Sequence, residues 1–136
     1  MMSEDRSASG AGQRAQEGAA LARIDEACIA ELRDALAEDL DEIVGHFLYQ
    51  LDGQLAAMDA ALGAADAAAV AAEAHALKGS AGNLGAAGLA ALAAALEHSG
   101  KAGDLGAAGA QFAQLQACAA QTVGAYNALG FRAAAA

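Results

Sequence analysis

Residues 38–62 carry the sequence EDLDEIVGHFLYQLDGQLAAMDAAL, and this stretch decides the fold. Its large apolar residues recur at steps of three or four, which is the spacing of one face of a helix. That face comprises Leu40, Ile43, Val44, Phe47, Leu48, Leu51, Leu55, Met58 and Leu62. Acidic residues occupy the first turns, where the helix dipole favours negative charge. The stretch therefore predicts a long amphipathic helix with one buried side.

The remaining sequence predicts one short helix before this one and three longer helices after it. Asp66 and Asp104 are suited to cap the third and fifth helices, and Gly63 is suited to end the second. The connections contain only a few residues, so neighbouring helices must run antiparallel. We therefore predict an all-α protein, an up-down-up-down four-helix bundle with an additional short N-terminal helix that caps one end. The predicted ranges are 24–36, 38–62, 67–84, 89–100 and 105–129.

The composition agrees with a single helical domain. The chain has 136 residues, and 45 of them are alanine, the best helix former, while proline is absent. The larger apolar residues suffice for one small core. Residues 1–20 are rich in Ser, Gly, Gln and charge, so we expect a disordered tail there and a folded bundle over residues 21–132.

The charge balance excludes several classes of partner. The net charge is −10 and no basic stripe is present, so nucleic acid and anionic membranes are not expected to bind. The N-terminus lacks the apolar segment of a signal peptide, and the long uncharged stretches are mostly Ala and Gly. Cys28 and Cys118 lie far apart without metal-ligand spacing. We expect a cytoplasmic monomer without a bound metal.

Among three histidines, only His75 has an unusual setting. With about 100° per residue, the buried stripe of its helix centres on Val70, and His75 points away from that stripe toward solvent. Lys78 is its neighbour one turn on. Gly79 and Gly82 follow on the same side, although each glycine within a helix costs about 1 kcal/mol relative to Ala. In a chain so rich in Ala, these glycines indicate that something approaches the imidazole closely.

The combination of an imidazole and an ammonium indicates a specific chemistry. A cation beside an exposed histidine favours the neutral, nucleophilic form of the ring near pH 7. The same ammonium can neutralise a phosphate placed on the ring. Lys78 is one of only two lysines in the chain. The sequence pattern assigns no carboxylate to this position, although Glu73 lies two residues before His75.

Residues 75–85, HALKGSAGNLG, resemble the signature of histidine-containing phosphotransfer (HPt) domains. The resemblance covers roughly residues 24–130, with Phe47 ahead of the leucine stripe and Leu96–Glu97 near the end of the fourth helix. One departure is Ala76, where such domains often have Thr. In some members a polar side chain from a neighbouring helix orients the imidazole, and the sequence does not identify that residue here.

The resemblance implies a phosphorelay intermediate that carries a phosphoryl group between the phospho-aspartates of receiver domains. His75 would be the phosphoacceptor through Nε2, Lys78 would stabilise the phosphate charge, and Gly79 would give access. The partners would be receiver domains of response regulators and of a hybrid histidine kinase, and Mg²⁺ would belong to the partner rather than to this chain. The docking surface around His75 would include Ala71, Ala72 and Gly82.

Two other functions stay open at this point. A helical adaptor could bind receiver or kinase domains without phosphotransfer, although Lys78 and Gly79 argue against it. A bundle metalloprotein or haem binder is the second alternative, and a metal site formed by His46 and His98 would need carboxylates at helix-facing positions, such as Glu-x-x-His pairs, which the sequence lacks. The chain also has no Walker A motif or other phosphate loop. We therefore expect a phosphohistidine carrier without autokinase activity, and whether it counts as an enzyme stays open.

Overall fold

The structure, a computed structural model, describes residues 22–134. The tail predicted over residues 1–20 lies outside the described residues. The bounds of the five helices follow the predicted ranges to within about two residues. They are α1 Glu26–Leu36, α2 Asp39–Gly63, α3 Ala67–Asn83, α4 Ala87–Lys101 and α5 Leu105–Ala128.

Local sequence signals set the helix ends. The side chains of Asp25, Asp66 and Asp104 each accept a hydrogen bond, 3.0 Å long, from the backbone N–H three residues on. This confirms the predicted caps of α3 and α5. The turns after α3 and α4 contain Gly85 at φ +83° and Gly103 at φ +72°, a conformation that glycine adopts without the steric cost of a side chain.

Helices α2 to α5 form the bundle. Each of the three connections between them has three residues, which forces antiparallel neighbours, and α5 packs back on α2 to close the ring. Helix α1 packs against α2 and starts beside the α3–α4 turn, where the N–H of Asp25 donates to the carbonyl of Gly85 at 2.8 Å. The predicted all-α bundle with a short additional helix is therefore confirmed.

Aromatic side chains fill part of the core. Phe47, Phe112 and Tyr126 are all buried, and the rings of Phe47 and Tyr126 meet edge to face with centroids 6.2 Å apart. The Tyr126 hydroxyl donates to the carbonyl of Leu84 at 2.6 Å, so its buried oxygen is satisfied. One residue of the apolar face predicted for α2 is not buried: Ile43 is 41% exposed.

Membrane insertion is a separate question. Within residues 22–134, no helix combines the length and the apolar character that a membrane crossing needs.

Candidate functional site

Helix α3 presents His75 to solvent, as predicted. Its opposite face is buried completely, and His75 itself exposes 68% of its side chain. The buried face comprises Val70, Ala74, Leu77 and Ala81. Because this face fixes the rotation of α3 in the bundle, the imidazole is held on the outside of a rigid element.

A carboxylate from the neighbouring helix contacts the ring. Glu97, in the last turns of α4, has its Oε2 at 2.8 Å from Nδ1 of His75. Its other oxygen, Oε1, accepts a hydrogen bond from Nζ of Lys78 at 2.7 Å. Nζ of Lys101 lies 3.1 Å from Oε2. We call His75, Lys78, Glu97 and Lys101 the imidazole cluster.

Glu97 is the buried member of the imidazole cluster. Its side chain is only 7% exposed, whereas those of its three partners are 40% to 69% exposed. Hydrogen bonds from Lys78 and then from Lys101 lower the pKa of the Glu97 carboxyl from 4.5 to about 2, although burial acts in the opposite direction. Glu97 is therefore an anion at every pH at which the protein is expected to work.

The ionised carboxylate decides which ring nitrogen can react. An ionised carboxylate only accepts hydrogen bonds, so Nδ1 of His75 must carry a proton to be bonded to Glu97. In the neutral imidazole, the lone pair then lies on Nε2. With Nδ1 bonded to the buried carboxylate and most of the ring exposed, Nε2 is the nitrogen available to an incoming group.

Sequence reasoning missed Glu97. It places Leu96–Glu97 in the resemblance to HPt domains but gives the glutamate no role. The contact joins residues 22 positions apart on two helices, so no pattern within α3 reveals it. Glu73, the carboxylate nearest to His75 in sequence, lines a different cleft with Tyr49 and Gln50 of α2. The only sequence signal was Lys101, four residues after Glu97 and the second of the two lysines in the chain.

The two glycines after His75 leave open space. A methyl group added to Gly79 would meet nothing within 4 Å, and one added to Gly82 would meet only the Cβ of Ala90 at 3.9 Å. Both glycines are exposed. Gly82 also lies one residue before the end of α3, so it serves as a helix-end residue as well. At these two positions, the surface of α3 beside the imidazole is therefore backbone without projecting side chains.

The two alanines before His75 differ from one another. Ala72 is exposed, as expected for a docking residue. Ala71 is mostly buried, with 7% exposure, but it lines the same surface cleft as His75 and Ala72, so its place on the docking surface stays a prediction. The reason for its burial is Gly100 of α4, whose missing side chain lets the two helices approach until an added methyl would lie 2.8 Å from the backbone nitrogen of Ala71.

A second surface adjoins the site on the α2 side. Ile43, His46 and Gln50 of α2 line a cleft together with Ser80 and Asn83 of α3. Ile43 is one of three large apolar side chains that are exposed within residues 22–134. The cleft thus combines apolar and polar groups close to the part of α3 that carries Gly79 and Gly82.

The other histidines lie outside the imidazole cluster. His46 and His98 are exposed on α2 and on the last turn of α4. In the described part of the chain, no group of three or more His, Cys, Asp or Glu residues is placed to hold a metal ion.

Comparisons with known proteins agree with this geometry. A family model described as Hpt domain matches residues 20–125. A search of curated proteins gave no significant match. The crystal structure of histidine-containing phosphotransfer protein B (HptB) from Pseudomonas aeruginosa PAO1 is similar, with a TM-score of 0.73 and 28% sequence identity, over 81% of this chain and 97% of that chain. Since the family model spans well over half of its residues, the chain belongs to the HPt family of histidine phosphotransfer domains.

Proposed function

We propose that this protein carries a phosphoryl group on Nε2 of His75. The group comes from the phospho-aspartate of one receiver domain and passes to the aspartate of another. Membership in the HPt family supports a role in a phosphorelay. The contact between Nδ1 of His75 and the ionised Glu97 is the observation that carries the assignment to this atom.

The chemistry follows from the hydrogen bonds of the ring. The lone pair on Nε2 attacks phosphorus, an N–P bond forms, and the P–O bond to the aspartate breaks with release of its carboxylate. Nδ1 keeps its proton, so the phosphorylated ring gains positive charge. Glu97, 2.8 Å from Nδ1, stabilises that charge as it develops. The return transfer reverses the same steps.

Local charge favours the phosphoryl group in an otherwise acidic chain. With neutral His75, the imidazole cluster holds two ammonium groups and one carboxylate, and so is net positive. Lys78 follows His75 by three residues on the same helix, which places its ammonium beside the ring. We expect Lys78 to stabilise the transferred charge, while Mg²⁺ is held by the receiver domain. Positioning and electrostatics of this kind account for most of the catalysis of phosphoryl transfer.

The surface around His75 suits a protein partner that must reach the ring. Gly79 and Gly82 allow close approach, and Ala72 adds a small apolar contact. The cleft with Ile43 on α2 extends this docking surface away from α4. We propose that receiver domains of response regulators and of a hybrid histidine kinase dock here in turn, through a small interface that permits exchange. The exchange would take place in the cytoplasm with this protein as a monomer.

The direct test mixes the protein with a phosphorylated receiver domain and Mg²⁺ and follows the label. We expect acid-labile, base-stable label on this chain and none on the variant His75→Gln. His98→Gln, which removes another exposed histidine, is the matched control and should accept label normally. If several receivers bind but transfer nothing to the folded protein, a non-catalytic adaptor is the better description.

A further inference from the structure

Both lysines of the whole chain contact one carboxylate. Lys78 reaches Glu97 from α3, and Lys101 reaches it from α4, one turn further along the same helix. The two ammonium groups do not duplicate each other. Lys78 bonds Oε1, whereas Lys101 lies against Oε2, the oxygen that also accepts the hydrogen bond from Nδ1 of His75. The two lysines therefore hold the two oxygens of the carboxylate separately.

In the proposed reaction, Lys78 has two partners, Glu97 before transfer and the phosphoryl group after it. Before transfer, its ammonium is 2.7 Å from Oε1 of Glu97. A phosphoryl group on Nε2 brings about two negative charges close to the same ammonium. These charges compete with Glu97 for Lys78. Glu97 would then lose its shortest ion pair, and of the two lysines only Lys101 would still hold the carboxylate in place.

The loss of this ion pair would affect the imidazole of His75, which Glu97 contacts. Without Lys78 and a second lysine, the Glu97 carboxylate would be held only by the ring, so it would be free to rotate away from Nδ1 or, when the ring is neutral, to take up a proton. A protonated carboxyl donates a hydrogen bond instead of accepting one, so it would reverse the bond to Nδ1 and disfavour the proton that this nitrogen carries. A phosphorylated ring from which Glu97 had rotated away would lose the counter-charge to its Nδ1 proton.

We propose that Lys101 is a positioning residue. It keeps Glu97 ionised and bonded to Nδ1 of His75 while Lys78 is drawn to the phosphoryl group. Lys101 is suited to this because it lies on the same helix as Glu97, at i+4, and so does not depend on movements of side chains on α3. This role rests on the proposed phosphotransfer at His75. Within the imidazole cluster, the ionisable groups that face Glu97 are His75, Lys78 and Lys101.

The test is a double-mutant cycle of the full chain, with the initial rate of label transfer from a phosphorylated receiver as the readout. Lys101→Gln should slow transfer about fivefold, within the range of coupling between contacting side chains. Lys101→Arg should restore the rate to within about twofold. In the Glu97→Gln background, Lys101→Gln should have no further effect. Arg33→Gln on α1 removes the same charge far from the site and should leave the rate unchanged.

A spectroscopic readout separates positioning from a change in stability. In the phosphorylated protein labelled with ¹⁵N, the Nδ1–H signal of His75 should persist in wild type and in Lys101→Arg, and should broaden or vanish in Lys101→Gln. Circular dichroism should show the same helix content for all variants, since the Lys101 side chain is 69% exposed.

Three outcomes would overturn the proposal, and they are distinguishable. An unchanged rate in Lys101→Gln would mean that Lys101 forms an ordinary surface ion pair. A full effect of Lys101→Gln in the Glu97→Gln background would mean that Lys101 acts on the phosphoryl group directly. Absence of label on His75 in the wild type would overturn the proposed function and this inference with it.

Discussion

Gly79 and Gly100 lie on neighbouring helices around the same histidine, and they serve opposite purposes. A methyl group on Gly79 would meet nothing within 4 Å, whereas one on Gly100 would come within 2.8 Å of the nitrogen of Ala71 and 3.0 Å of the carbonyl oxygen of Ala67. One glycine clears the outer surface of α3. The other lets α4 approach the buried flank of α3.

The difference shows how this bundle builds its site. The close approach at Gly100 places the end of α4, and with it Glu97, within hydrogen-bond distance of His75. The open surface at Gly79 leaves the other side of the ring to a partner. A tight packing contact and an exposed docking surface thus meet at one imidazole, and each depends on a glycine that costs helix stability.

The largest effect on stability is expected for Gly100→Ala. Overpacking against rigid backbone typically costs about 1–3 kcal/mol, which exceeds the gain of up to about 1 kcal/mol in helix propensity. We expect a net loss of about 1–2 kcal/mol in urea unfolding, and slower transfer because Glu97 moves away from His75. A variant as stable as wild type would show that the contact between α3 and α4 is looser than described.

Gly79→Ala should have the opposite effect on stability. It gains helix propensity, up to about 1 kcal/mol, because the added methyl meets no other group. Transfer from a phosphorylated receiver should nevertheless slow about tenfold, since overpacking a docked interface costs energy of the size that changes a rate by that factor.

The matched control for that variant is Gly109→Ala. Gly109 is an exposed glycine of α5 that also has open space around it. This substitution should raise stability to a similar degree and leave transfer unchanged. If Gly79→Ala transferred as fast as Gly109→Ala, the surface beside His75 would not be the docking site.

The smallest effect concerns Glu97, which lies between the close contact at Gly100 and the open surface at Gly79. Its pKa falls from 4.5 to about 2 on folding, so its ion pairs stabilise the fold fully above pH 4.5, and this contribution is lost as the pH falls toward 2. The difference in unfolding free energy between wild type and Glu97→Gln should therefore shrink over that range. A difference that does not change between pH 5 and pH 2.5 would contradict this assignment.

Features encoded within one helix could be predicted from the sequence. The apolar spacing of α2 gave its extent, and Asp66 and Asp104 marked the starts of α3 and α5, because caps and stripes depend on residues a few positions apart. The exposure of His75 followed in the same way from the stripe centred on Val70.

Features that depend on two helices could not be predicted. The burial of Ala71 and the contact of Glu97 both depend on how closely α4 approaches α3 and on its rotation there. The residue pattern of α3 or of α4 alone does not predict this approach, since it depends on the missing side chain at Gly100. The exposure of Ile43 has a similar origin, because its position on the α2 stripe does not tell whether a neighbouring helix covers it.

The central claim is that Nε2 of His75 carries the phosphoryl group while Nδ1 keeps its proton. The most direct measurement is ¹⁵N and ³¹P NMR of the histidine-labelled protein after transfer from a receiver domain. We predict coupling between phosphorus and Nε2 of His75 only, with a retained proton on Nδ1. Phosphorus on Nδ1, on His46 or on His98, or no phosphohistidine in a folded and receiver-bound protein, would contradict the account.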